Sequence, residues 1–194
     1  MSLIRPHDSQ VTGWALAARA GDQAAAAAFV RATQAQVWRM LAHLTDPGNA
    51  DDLAQETYLR AFRSLDTFTG QASARTWLLA IARRVAADHL RAAARRPKPA
   101  GSSDWQQAAE LRQALHSRGV PGFDDGFALR ELLAELEPDR REAFVLTQVV
   151  GLSYAEAAQV CGCPIGTIRS RVARARDDLI TRLRAAESAE STGN

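Results

Sequence analysis

Gly151-Leu-Ser-Tyr-Ala-Glu-Ala-Ala-Gln-Val-Cys-Gly-Cys-Pro-Ile-Gly-Thr-Ile-Arg-Ser-Arg-Val-Ala-Arg-Ala-Arg176 carries the clearest structural signal in this chain. Ser153 suits an N-cap, and Glu156 stands three residues on, the spacing of a capping box. The spacing predicts a short helix to about Val160. Gly162 supplies a sharp turn. Pro164 opens a second helix near its first turn, where a missing N–H costs nothing. Ala157 and Ala158 are small enough for two helices to pack closely. This is helix–turn–helix architecture.

The second helix has two faces. Ile168, Val172, Ala175 and Leu179 follow four-three-four spacing and are expected to point into the domain. Arg169, Ser170, Ala173, Arg174 and Arg176 then point outward, where a recognition helix enters the major groove. Arg169 and Arg174 can offer paired donors to guanine or grip phosphates. Ser170 can donate or accept at a base edge, and Ala173 can sit against a thymine methyl. Arg171 lies toward the flank, better placed for a phosphate. Thr167 and Gly166 at the helix start can bond a phosphate through the helix N-terminus. An ordinary helical hairpin with a basic surface would show the same arginines without the coincidence of cap, turn and proline.

Outward from this stretch, the 194 residues read almost entirely as helix, with 46% hydrophobic and 24% charged residues. That composition is globular and excludes wholesale disorder. Ala, Leu, Arg, Glu and Gln dominate, and strand-like alternation is nearly absent. No apolar run approaches the ~18–20 residues that span a bilayer, and no secretory leader is expected. The two cysteines, Cys161 and Cys163, are too few for a disulfide framework and have no histidine or third cysteine nearby to complete a metal site. A cytoplasmic location fits this usage. The fold class expected is all-α: two small helical domains joined by a flexible linker, the C-terminal one containing the helix-turn-helix. Residues 1–95 would form the first domain and 96–126, rich in Pro, Gly and Ser with a short helix at 104–117, the linker. Residues 127–186 would form the second domain and 187–194 a frayed tail.

Net charge is only +2, and Lys98 is the sole lysine. Arginine abundance by itself reflects composition bias as readily as function, so its placement matters more. Arg75, Arg83, Arg84, Arg91, Arg95 and Arg96 face one acid, Asp88, in the stretch 73–96. A second basic stretch covers 164–184, and an acidic one lies between, over 124–142. Two basic helices, one per domain, suit a protein that touches DNA at two places.

In the N-terminal half, Asp46-Pro47-Gly48-Asn49 reads as a turn with Asp51 or Asp52 capping the helix that follows. Asp51–Phe62 is then amphipathic: Leu53, Thr57 or Tyr58, and Ala61 or Phe62 toward a core, and Asp51, Asp52, Gln55 and Glu56 on the polar side. Ser73 precedes a long helix from about Arg75 to Arg95, with Leu78, Ile81, Ala82, Val85 and Leu90 on one apolar face. Phe68 sits on a Gly-containing loop, where an exposed aromatic can stack an unpaired base. Trp77 lies within an apolar run, the setting of a core residue.

The order Asp-Asp-Leu-x-Gln-Glu-Thr, Thr-Trp-Leu-x-x-Ile-Ala-Arg, Gly-Leu-Ser-Tyr-x-Glu-x-Ala and Gly-Thr-Ile-Arg-Ser-Arg resembles extracytoplasmic-function (ECF) sigma factors of bacterial RNA polymerase. The resemblance covers about 15–95 and 127–185, and the C-terminal wording is nearest the SigC-like subgroup of actinobacteria. It implies a factor that binds core RNA polymerase and directs promoter recognition, DNA melting and initiation. Asp51, Asp52, Gln55 and Glu56 would dock on the β′ clamp helices, with the β flap as a second polymerase contact. Phe68, Ser73, Arg75, Trp77, Arg83, Arg84, Asp88 and Arg91 would handle the −10 element as single strand. Thr167, Arg169, Ser170, Arg171, Ala173 and Arg174 would read the −35 duplex. An anti-sigma factor is a candidate partner, and a membrane is not. The family often carries asparagine where Arg84 stands and a larger residue where Ala173 stands. No nucleophile, acid–base pair, metal set or cofactor motif stands out, so no enzyme activity is expected. The competing class is a stand-alone helix-turn-helix regulator, which would bind its operator tightly without polymerase.

Overall fold

The computed structural model describes residues 7–95 and 123–192, with side chains for 7–95 and 129–185. The expected linker helix at 104–117, most of the expected linker, and residues 193–194 lie outside the described residues. The elements run α1 (Asp8–Arg19), α2 (Gln23–Leu44), α3 (Pro47–Arg63), a 3₁₀ turn (Leu65–Thr67), α4 (Ala74–Arg95), α5 (Phe123–Ala134), α6 (Pro138–Phe144), a π-helical turn (Val145–Val149), α7 (Tyr154–Cys161) and α8 (Ile165–Thr192). No strand occurs among the described residues.

Helices α2, α3, α4 and α7 begin where a side chain satisfies unpaired N–H groups. Asp22 accepts from the Ala24 and Ala25 amides at 2.8 and 3.0 Å. Asp46 caps α3 through Gly48 N at 2.7 Å, with Pro47 at the first helical position. This replaces the expected turn at 46–49: Pro47 starts the helix, so Asp51 and Asp52 are body residues and not caps. Ser73 caps α4, its hydroxyl accepting from Thr76 N at 3.1 Å. Two expected boundaries shift. Helix α5 begins at Phe123, inside the expected linker, and α8 continues to Thr192, through most of the expected tail.

Helices α1 to α4 pack around Phe29, Val37, Met40, Leu41, Leu78, Leu79 and Val85, all at most 2% exposed. Of the alternatives on α3, Thr57 and Ala61 point inward, whereas Phe62 is 39% exposed. Leu90 also departs from expectation at 46% exposed. It lies in the projecting end of α4, where 91–95 are exposed throughout. The second cluster gathers Leu133, Ala143, Val145, Leu146, Ile168 and Val172 from α5, α6, the π turn and α8. The two clusters join into one apolar core, with α4 against α7 and α2 against the π turn. Gln36 Nε2 donates to Val150 O at 3.2 Å across this junction, and Arg83 Nε donates to Glu142 Oε1 at 2.7 Å.

Candidate nucleic-acid interface

The helix-turn-helix is built as its sequence demands. Ser153 Oγ accepts from Glu156 N at 3.2 Å, and Glu156 Oε2 accepts from Ser153 N at 2.7 Å. The box fixes the start of α7. Gly162 ends α7 with φ +64°, a left-handed conformation that a Cβ would strain. Ile168, Val172, Ala175 and Leu179 are buried at 8% exposure or less and lock α8 onto α6 and α7. Arg169, Ser170, Ala173, Arg174 and Arg176 are exposed together. Among them, Ser170 Oγ donates to Thr167 O at 2.9 Å and Arg176 Nη2 to Gln148 Oε1 at 2.9 Å. Thr167 is half-buried at the helix start. Arg171 is half-buried as well and pairs with Asp139 of α6, which ties α8 to α6.

The loop and helix of the N-terminal half are arranged differently from the sequence expectation. Phe68 is not a displayed aromatic: it is 3% exposed, with its ring centroid 4.9 Å from that of half-buried Trp77. Its carbonyl accepts from Arg19 Nη1 at 2.7 Å. The loop is short, and burying the large ring against α1 and α4 is worth more than exposing it. Gly70 turns beside it at φ +77°, where a Cβ would lie 3.3 Å from Leu16 Cδ1. Arg75 is also inside, paired with Asp8 at 2.8 Å. Ser73 is spent on its cap. Of the −10 residues expected on α4, Arg84, Asp88 and Arg91 are open, with Arg83 alongside but paired to Glu142. Proximity to Glu142 raises the Arg83 pKa, its hydrogen bond being the main cause.

Asp51, Asp52 and Gln55 are exposed along α3, and Glu56 is half-exposed beside them, accepting from Arg60 Nε at 2.7 Å. Asp51 and Gln55 border a groove of about 530 Å³ between α2 and α3, floored by Val30, Trp38 and Tyr58. Tyr58 shares a 2.8 Å hydroxyl hydrogen bond with Thr33, and burial pushes its pKa up to about 12. Trp38, 40% exposed, was not anticipated, nor were Leu59 and Phe62, at 47% and 39%, continuing the α3 strip. The four-residue spacing from Gln55 to Leu59 was the available signal. Arg60 joins this surface too, its sequence signal being its place four residues after Glu56.

Cys161 is half-buried at the junction of the two halves, its Sγ 3.5 Å from Glu142 Oε2, and burial pushes its pKa up to about 12. A thiol held this firmly protonated is a poor nucleophile or ligand. Among the described residues, no group of three His, Cys, Asp or Glu gathers to hold a metal, and no helix is long and apolar enough to cross a membrane.

Comparison with known proteins fits both halves. Sigma-70 region 2 matches residues 29–96, and Sigma-70, region 4 matches residues 126–179. The chain is 49% identical over 180 residues to the ECF RNA polymerase sigma factor SigC of Mycobacterium tuberculosis, covering 93% of this chain and 95% of that protein. It is 33% identical over 164 residues to the ECF RNA polymerase sigma-E factor of Escherichia coli K12, covering 81% and 85%. Among solved structures, CnrH in complex with the cytosolic domain of CnrY aligns with a TM-score of 0.71 at 26% identity, over 91% of this chain and 98% of that one. The sigma factor RpoE in complex with the anti-sigma factor NepR from Bartonella quintana aligns with a TM-score of 0.60 at 27% identity, over 80% and 94%.

The chain belongs to the ECF sigma factors. It is a sigma factor that directs transcription initiation, a DNA-binding regulatory role.

Proposed function

We propose that this is a SigC-like cytoplasmic sigma factor that docks on core RNA polymerase through α3, reads −35 duplex with α8 and captures the −10 strand with α4. The observation that carries this reading is α8, which buries Ile168, Val172 and Ala175 while exposing Arg169, Ser170, Ala173 and Arg174 on one face. A rigid helix presenting two arginines and two small side chains suits the major groove. Thr167 would take a phosphate at the helix start, and Arg171 would steady the helix. Asp51, Asp52, Gln55 and Glu56 supply an acidic strip for basic side chains of the β′ clamp helices. On α4, Arg84 and Arg91 would grip the strand around Asp88, and Trp77 and Phe68 would brace the loop from inside. Ser73 would do so through its cap and Arg75 through Asp8. Arg83 joins the strand contact only when its bond to Glu142 is released. The β flap and an anti-sigma factor complete the partners. The solved sigma factor RpoE in complex with the anti-sigma factor NepR supports the last of these.

The physical logic is additive. Duplex contacts provide affinity and register. Captured bases offset an unpairing cost of a few kcal/mol per base. Polymerase holds both halves near their targets, raising each one's effective concentration. Run-off transcription with bacterial core polymerase tests the reading. Discrete transcripts that require this protein, and that are lost with Arg169→Ala/Arg174→Ala on −35-dependent templates, are expected. Each base-reading arginine contributes ~1–3 kcal/mol of discrimination. Tight operator binding without polymerase, with no comigration with core enzyme, would overturn it in favour of a stand-alone regulator.

A further inference from the structure

Four charged side chains alternate in sign across the α3–α4 surface. Arg60 Nε donates to Glu56 Oε1 at 2.7 Å, and Arg60 Nη1 donates to Asp88 Oδ2 at 2.7 Å. Arg91 Nη2 donates to the other Asp88 oxygen, Oδ1, at 2.7 Å. All four are exposed by 40% or more of their side-chain surface. The chain therefore links the proposed polymerase-docking strip, through Glu56, to the proposed strand face, through Asp88 and Arg91.

An acid on a face meant for a polyanion poses a physical problem. A bare carboxylate there would repel each passing phosphate. The geometry removes the problem, because each Asp88 oxygen carries a guanidinium. These hydrogen bonds, Arg60 first and Arg91 second, hold the carboxyl below its ordinary range, so it stays charged as an anchor. A guanidinium has five N–H donors in a planar fork. Arg60 commits its Nε edge and one Nη to the network, and its remaining donors are held in a fixed direction. A held fork loses less side-chain freedom on meeting a phosphate than a waving one.

We propose that Arg60 is a phosphate-contacting residue of the strand face, and that Asp88 is a positioning residue that aims Arg60 and Arg91 without contacting DNA itself. The inference rests on the proposed −10 role of α4 and extends it to a residue on α3. The competing explanation is that Arg60 only completes a helix: a cation in the last turn of α3 and an i,i+4 pair with Glu56. That role affects stability and leaves DNA untouched.

The sign of one substitution separates the two. The holoenzyme, this chain with core polymerase, is titrated with a labelled single-stranded oligonucleotide carrying the nontarget −10 sequence of a promoter mapped by run-off. Salt is varied at each step. Arg60→Ala, and Arg60→Gln as a gentler variant, should each flatten the slope of log affinity against log salt by about 0.7, one phosphate on a single strand, and weaken binding about fivefold at 0.1 M salt. Asp88→Asn should weaken binding too, although it removes a negative charge. In an Arg60→Ala/Arg91→Ala background the same Asp88→Asn change should tighten binding, because nothing is left to aim. Thermal midpoints of the variants check that folding is intact. Tightening by Asp88→Asn in the otherwise unchanged protein, or an unaltered salt slope for Arg60→Ala, would overturn the proposal. Failure of the unaltered chain to comigrate with core polymerase would overturn the parent reading instead, and this inference with it.

Discussion

Glu142 is the residue whose removal tests the junction between the two halves. Its Oε1 accepts from Arg83 Nε at 2.7 Å, and its side chain is 14% exposed against 34% for Arg83. At an effective dielectric near 20 the gross attraction of unit charges centred about 4 Å apart is about 4 kcal/mol. Desolvation of both ions and the ordering of two side chains cancel much of this. Partial burial places the remainder between an exposed pair and a buried one, at about 1–2 kcal/mol. Glu142→Ala should therefore cost about 1–2 kcal/mol, and a cycle with Arg83→Ala and the double variant should return a coupling of about 1 kcal/mol. The assay is urea denaturation of the four proteins. A second readout follows from position. Loss of ~1.4 kcal/mol from the contact between the halves shifts their association about tenfold. Free Glu142→Ala protein should thus bind a −10 single strand more tightly by up to about tenfold, and because the freed Arg83 is itself proposed to contact the strand, adding Arg83→Ala should reduce the gain. A coupling below about 0.3 kcal/mol would show that the ion pair does not hold the junction, and the reasoning from its geometry would fail.

Phe68→Ala should destabilise the fold by about 3–5 kcal/mol, the cost of emptying a buried aromatic site beside Trp77. Thermal unfolding checks it, and an unchanged midpoint with lost DNA binding would return the ring to the displayed role that its burial contradicts. His43 supplies a pH test. Its Nδ1 is buried without a hydrogen bond, and burial, aided by Arg130 and Arg39, lowers its pKa below the ordinary 6.5. The unfolded chain therefore takes up a proton below pH 6.5 that the folded protein refuses. Stability should fall as pH drops from 6.5 toward the folded value and stay level above it. His43→Asn should flatten that part of the profile in urea midpoints taken between pH 5 and 7.5; an identical profile would show that His43 is not the titrating group.

Local signals were legible because they depend on neighbours in sequence. The Ser153–Glu156 box and Gly162 lie within one or two turns of their partners, so their spacing alone specified helix, cap and turn. The inward stripe of α8 was readable for the same reason, since one periodic face must meet a core. Where two neighbours competed, as Ala61 with Phe62, the pattern left both open. Tertiary packing buried the smaller residue, Ala61, and left Phe62 exposed.

What sequence by itself determined, then, was an all-helical chain with a capped helix-turn-helix and an outward arginine face. Tertiary structure alone decided which charged and aromatic residues remain available. Phe68 and Arg75 sit on segments that read as interface, yet each meets a partner 9 and 67 positions away, Trp77 and Asp8. Arg83 is claimed by Glu142, 59 residues on, and Arg60 is aimed by Asp88, 28 residues on. Burial of these residues and their ion pairs across helices are set by long-range contacts, which no periodicity within a single helix encodes.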